Sequence, residues 1–231
     1  MPLKSAGSAL IILLISVPVF AQEYVQYVSK DDRFTIEFPA QPKVTETTFK
    51  SQYGYTLPAR VYSADATGAA KGHYQVTVVD YNGIQAMGEA RAKACPPGAE
   101  PCFGNPSPVS STGAGYWKAD RSGATTYATW LYLQKKPDVK FLGWATMDLV
   151  EGTLINLVNA DKSQTAAAIY MHENKLYLID GTVPAGMPPP DWFNQNLGWI
   201  DENGNAIRYL SVYHNGFPKP EVARRGAAPG N

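Results

Sequence analysis

The chain has few of the residues that enzyme and metal sites are commonly built from. Its 231 residues include only two cysteines, Cys95 and Cys102, and three histidines, His73, His172 and His214. No histidine has a second histidine or a carboxylate at metal-ligand spacing, so no metal site is assigned. No G-x-S-x-G is present, which removes the nucleophile elbow. Neither glycine-rich phosphate motif occurs, and "STGAG" at 111–115 lacks the lysine and the preceding strand of a phosphate cradle. No catalytic residue and no cofactor are therefore assigned. Charge of one sign is also missing. Lys plus Arg number 20 and Asp plus Glu number 20, so the formal charge is zero. A nucleic-acid partner would call for a basic excess or stripe, and an anionic membrane surface for a basic cluster. Adjacent basic residues come in no more than pairs, as at Arg224-Arg225 in a segment rich in Pro, Gly and Ala.

Long apolar runs are missing beyond the first 20 residues. The opening "MPLKSAGSALIILLISVPVFA" has one cation, Lys4, an apolar run from Ala9 to Phe20 and a small residue at Ala21. That is the layout of a secretory signal peptide, 1–21, with Gln22 as the expected mature start. The run is shorter than the roughly 20 apolar residues of a spanning helix. The expected product is an exported protein of the periplasm or the secreted fraction, with no membrane insertion after cleavage. Cleavage removes Lys4 and no acid, leaving 19 minus 20, or −1.

Export bears on the cysteines. Cys95 and Cys102 stand as C-x6-C with Pro96, Pro97 and Pro101 between them, unlike the C-x-x-C of a redox site. Zinc would need two further ligands, and none lies nearby in sequence. A structural disulfide in an oxidising compartment is expected. Closing a loop this short contributes at most about 2.5 kcal/mol in the chain-entropy model.

Alternation with period two dominates the rest. Phe34, Ile36 and Phe38 share one face of "RFTIEFP", 33–39. Strands are expected over 42–49, 56–65 and 73–81, then over 123–134, 139–150, 153–159, 165–171 and 175–183. "HEN" after Met171 reads as a hairpin turn. Short connections imply antiparallel pairing. A helix is expected over 84–94, where Ile84 and Met87 recur at helical spacing. A second is expected over 192–197, capped by Asp191. The Pro/Gly/Ser-rich stretch 95–115 reads as a long loop within one domain, not a linker between two. "IDENGNAIRYLSVY" reads as strand, turn, strand. Within it Asp201, Asn203 and Asn205 match the first three EF-hand ligand spacings, but Ala206 and Val212 break the match, so Asn203-Gly204 is read as a turn. The residues from 216 to 231 lack an apolar pattern and are expected to be disordered. The expected fold is α+β: a single domain, 22–215, of mainly antiparallel sheet with one or two packed helices.

Two segments, "RFTIEFPAQPKV" (33–44) and "AIYMHENKLYLIDGTVPAG" (168–186), resemble the PsbP-like exported proteins. The first is similar to their opening strand ending in Phe-Pro, the second to their later hairpin. The resemblance implies a compact sheet flanked by helices, in a family with accessory and scaffold roles. No functional residue carries over.

Scattered acids such as Glu37, Asp80, Asp148 and Glu151 form no sequence motif. Asp80 and Asp148 lie within or at the ends of apolar strands, so burial is expected there first. The 14 Tyr, 8 Phe and 5 Trp suit half-buried sheet faces. The expected function is that of a non-catalytic accessory or binding protein of the bacterial cell envelope, with an envelope protein or small ligand as partner. Two alternatives stand beside it: an envelope hydrolase with a dispersed site, and a glycan-binding module using exposed aromatics.

Overall fold

The computed structural model describes residues 24–96, 114–215 and 219–222. The expected leader and cleavage point, Cys102 and most of the Pro/Gly/Ser-rich stretch 95–115 lie outside the described residues. The fold is α+β and mainly antiparallel, in one packed domain, as the alternation implied. A small sheet holds β1 (Val25–Ser29), β2 (Phe34–Phe38) and β10 (Gly198–Trp199), with β2 in the middle. A seven-stranded sheet runs in the order β3-β4-β5-β9-β8-β7-β6. Its strands are β3 (Lys43–Lys50), β4 (Thr56–Ala66), β5 (Gly72–Asp80), β6 (Asp138–Met147), β7 (Val150–Val158), β8 (Gln164–His172) and β9 (Lys175–Val183).

Each face of the large sheet has its own core. One face packs the small sheet, joining Phe34, Ile36, Phe38 and Trp199 to Tyr62, Tyr74, Val76, Tyr177 and Ile179. The other packs the helices α1 (Ile84–Lys93), α2 (Trp117–Ser122) and α3 (Ala124–Leu133) onto Leu57, Val79, Ile155, Ile169, Leu176 and Leu178. Because side chains alternate along a strand, each inner strand feeds both cores. β8 is buried over eight of its nine residues, which explains its unbroken apolar run "TAAAIYM".

The expected strand over 123–134 is a helix, α3. Its Thr, Tyr and Trp content favours strands in isolation. Ala124 and Ala128 decide otherwise: spaced at i and i+4, both fully buried, they let the helix sit close to β7, β8 and β9. Burial against the sheet outweighs a few tenths of a kcal/mol of propensity per residue. Other differences are smaller. β1 has no counterpart among the expected strands. The second expected helix is a single turn, α4 (Asp191–Asn194), with Pro190 rather than Asp191 at its N-cap. The segment 200–213 forms no regular hairpin beyond the bridge Ile200↔Ala206. Its turn is present: Asp201 accepts hydrogen bonds from the Asn203 and Asn205 amides. Within the segment expected to be disordered, Val222 bridges to Tyr209 and Lys219 pairs with Glu173.

The turn at Glu173-Asn174 joins β8 to β9 with both residues at positive φ, 48° and 59°, as a two-residue hairpin turn requires. Cross-strand register then follows, including Ala167↔Asp180 and Thr165↔Thr182.

Candidate functional site: a polar cleft beside α3

The helix-covered face of the large sheet changes character along its strands. In β9, Leu176 and Leu178 lie under the helices, and Asp180 and Thr182 continue the same face. In β5, Val79 is followed on that face by Thr77, Gln75 and His73. In β8, Met171 and Ile169 give way to Thr165. The change falls at the C-terminal end of α3, where Tyr132 meets Asp180.

A cavity of about 450 Å³ opens there, within the size range of small-molecule sites. Asp180 lies on its floor. The Tyr132 hydroxyl donates to Asp180 Oδ2 at 2.8 Å. Thr165 and Thr182 hydrogen-bond each other at 2.8 Å. The Asn159 amide donates to Ser163 Oγ and to Thr165 Oγ1, both at 2.9 Å. Ser163 in turn donates to Asp161 Oδ1 at 2.6 Å. Lys135 stands on the exposed rim.

Burial pushes the Asp180 carboxyl above its ordinary range, against the bond from Tyr132 and the fields of His73 and Lys135. Burial also drives the Tyr132 phenol well above its usual value, and the neighbouring Asp180 charge adds to this. Tyr132 therefore stays a donor at any physiological pH. An open groove of about 390 Å³ continues from the cavity, sharing Asp161, Ser163 and Thr182 with it. Along it His73 Nδ1 lies 2.8 Å from Asp65 Oδ1. Register aligns Asp65, His73, Thr182 and Thr165 in one row across β4, β5, β9 and β8.

The other residues singled out from sequence are dispersed. His214 pairs with Glu151 at the surface. Glu37 is exposed. Asp80 is half-buried and accepts from the Asn82 backbone and side chain. Asp148 is half-buried in the β6–β7 turn, with Arg208 at 4.0 Å. Cys95 sits two residues past the end of α1. Among the described residues no three His, Cys, Asp or Glu side chains gather as a possible metal site. No helix among them is long and apolar enough to cross a membrane.

The acids that are buried were not singled out. Asp32, 2 % exposed, accepts from Arg60 at 2.7 Å, Lys175 at 2.6 Å and Tyr62 at 2.6 Å. Burial opposes its charge, yet these three bonds hold its carboxyl below the usual value. Asp120 accepts from Ser51 and the Tyr53 amide, and burial raises its carboxyl. Both clusters tie elements together: Asp32 the β1–β2 turn to β4 and β9, Asp120 α2 to the β3–β4 turn. His172 is also buried, 2.6 Å from the Tyr209 hydroxyl, with its ring tilted at 4.5 Å from that of Trp199. Unlike these groups, Asp180 lines the polar cavity, and its Oδ1 carries no hydrogen bond among the described residues. Sequence held a signal for it. Leu176, Leu178, Asp180 and Thr182 occupy one face of "KLYLIDGTV", and that face turns polar halfway along.

Comparison of the chain with family models, with curated proteins and with solved structures found no match in any of the three.

Proposed function

We propose that the chain is an exported, non-catalytic accessory or binding protein of the bacterial cell envelope, and that it holds a small polar ligand in the cleft beside α3. The observation that carries this is the cavity itself: about 450 Å³, floored by Asp180 and Thr182, where a sheet face leaves its helical cover and turns polar. Proteins seldom bury a carboxylate with one side-chain partner without a use for it. The leader sequence and the PsbP-like resemblance support export and an accessory role. The test is ligand retention. Purified mature protein is incubated with the small-molecule fraction of an envelope extract, and what it holds is identified by mass spectrometry. A compound retained by the wild type and lost from Thr182→Val supports the reading. Equal retention by both, or none by either, overturns it.

A second reading rests on the row Asp65, His73, Thr182, Thr165. A carboxylate-oriented imidazole beside a hydroxyl is the arrangement of a nucleophilic hydrolase. Against it, His73 and Asp65 are both exposed, and no hydrogen bond joins His73 to Thr182 among the described residues. Ester hydrolysis abolished by His73→Ala would favour the enzyme. The glycan-platform reading has less support. Trp117 and Trp199 are buried; Trp130 and Trp144 are exposed, at 51 % and 66 %. Trp130 stacks with Tyr127, which reaches Phe49 on β3, whereas Trp144 belongs to β6 at the opposite sheet edge. The exposed rings form no single row.

A further inference from the structure

We propose that the cleft beside α3 takes the ammonium group of a small amine, with Asp180 as its counter-ion. This rests on reading the cleft as a ligand site and adds the ligand's chemistry. The reason is how the cleft spends its donors and acceptors. Tyr132 commits its proton to Asp180 Oδ2. Asn159 commits both amide protons, to Ser163 and Thr165. Ser163 commits its proton to Asp161. Thr165 and Thr182 share one bond, which leaves a single hydroxyl proton between them. Among the neutral side chains of this network, that hydroxyl proton is the only one left uncommitted. Acceptors remain in excess: Asp180 Oδ1, the second oxygen of Asp161, the Asn159 side-chain oxygen and the hydroxyl lone pairs.

A ligand fits such a surface by bringing donors. An ammonium brings three, together with the charge that a half-buried carboxylate lacks. The charged and titratable groups around Asp180 are Tyr132 from α3, His73 from β5, Lys135 from the segment after α3, and Asp161 from the β7–β8 turn. Lys135 is the one fixed cation among them. It is exposed and makes no ion pair with Asp180 within 4.0 Å among the described residues, so Asp180 Oδ1 is left for a ligand. A carboxylate-bearing ligand would meet Asp180 and Asp161 as like charges. A neutral polyol would supply hydroxyl protons without neutralising Asp180.

The test uses the mature protein, its backbone amide spectrum and three probes of similar size: 1,5-diaminopentane, xylitol and glutarate. Titration with the diamine should shift the amide resonances of Asn159, Asp180 and Thr182. Asp180→Asn, with an otherwise native spectrum, should weaken the diamine by about tenfold, the expected loss of a charge-assisted hydrogen bond. Lys135→Gln, which removes the competing cation, should tighten it. Diamine binding should also weaken as pH falls, because protonation of Asp180 removes the counter-ion. Xylitol or glutarate binding at these residues as tightly as the diamine would overturn the amine inference while leaving the cleft as a ligand site. Silence of all three probes overturns the amine inference too. The cleft reading itself then stands or falls on the extract experiment.

Discussion

At the residue scale, His172 shows how burial converts a polar side chain into a pH-dependent one. It is fully buried among Trp199, Tyr209 and Tyr213, and its Nδ1 has no hydrogen-bond partner among the described residues. Burial pulls its pKa down to about 4, with Glu173 raising it and Lys219 lowering it by smaller amounts. The unfolded chain binds a proton near the ordinary 6.5, the folded one near 4. Between these values the unfolded state holds more protons, so stability is whole above 6.5 and declines as pH falls toward 4. The loss is on the order of 3 kcal/mol. His172→Gln should lose the part of the acid slope that lies in this window. Urea unfolding of both proteins at several pH values measures it. Identical slopes would show that His172 does not titrate as its burial implies.

At the scale of elements, β6 is the least finished part of the large sheet. It is an edge strand, and Val139, Phe141, Leu142 and Trp144 are all more than two-fifths exposed. Edge strands with apolar side chains and unpaired backbone groups invite pairing with another chain. The bulge near Lys140 and the Lys140–Asp138 pair guard one end. The uncharged stretch Phe141–Met147 has no such guard. Trp144→Lys should change the unfolding free energy by less than about 0.5 kcal/mol, as expected for a surface site. It should also lower concentration-dependent light scattering. A loss of stability above about 2 kcal/mol would mean that Trp144 packs as a core residue. The helix α3 carries the complementary lesson. Its composition reads as strand, and only two small residues one turn apart, Ala124 and Ala128, mark the face that meets the sheet.

At the scale of the whole molecule, two sheets from distant parts of the chain must fold as one. Their joint is Asp32 in the β1–β2 turn, held by Arg60 of β4 and Lys175 of β9, with Tyr177 donating to the Asp32 carbonyl at 2.7 Å. Removing one partner of a buried ion pair leaves the other charge uncompensated, at a cost of about 3–5 kcal/mol; the partial exposure of Arg60 favours the lower end. Asp32→Asn should lower stability by about 3 kcal/mol. Adding Lys175→Met should recover part of that loss, because no unpaired ammonium then remains beside the turn. Unfolding followed by circular dichroism and by tryptophan fluorescence should stay coincident in the wild type. Separate transitions would show that the small sheet melts on its own.

Sequence by itself determined the strands from Phe34 to Val183 that alternate or run apolar, the turns at Glu173-Asn174 and Asn203-Gly204, the helix at Ile84 and hence an antiparallel α+β fold. These are local properties: side-chain period and backbone preference act over a few residues and need no distant partner. Only the tertiary structure decided that 123–134 is a helix, that Asp32 rather than Asp80 or Asp148 is the buried acid of a joint, and that Asp180 floors a cleft. Each depends on which surfaces meet. A strand-like segment becomes a helix when its two alanines can lie on a sheet, and a carboxylate becomes part of a site when its neighbours, more than 40 residues away at Tyr132, withdraw it from water.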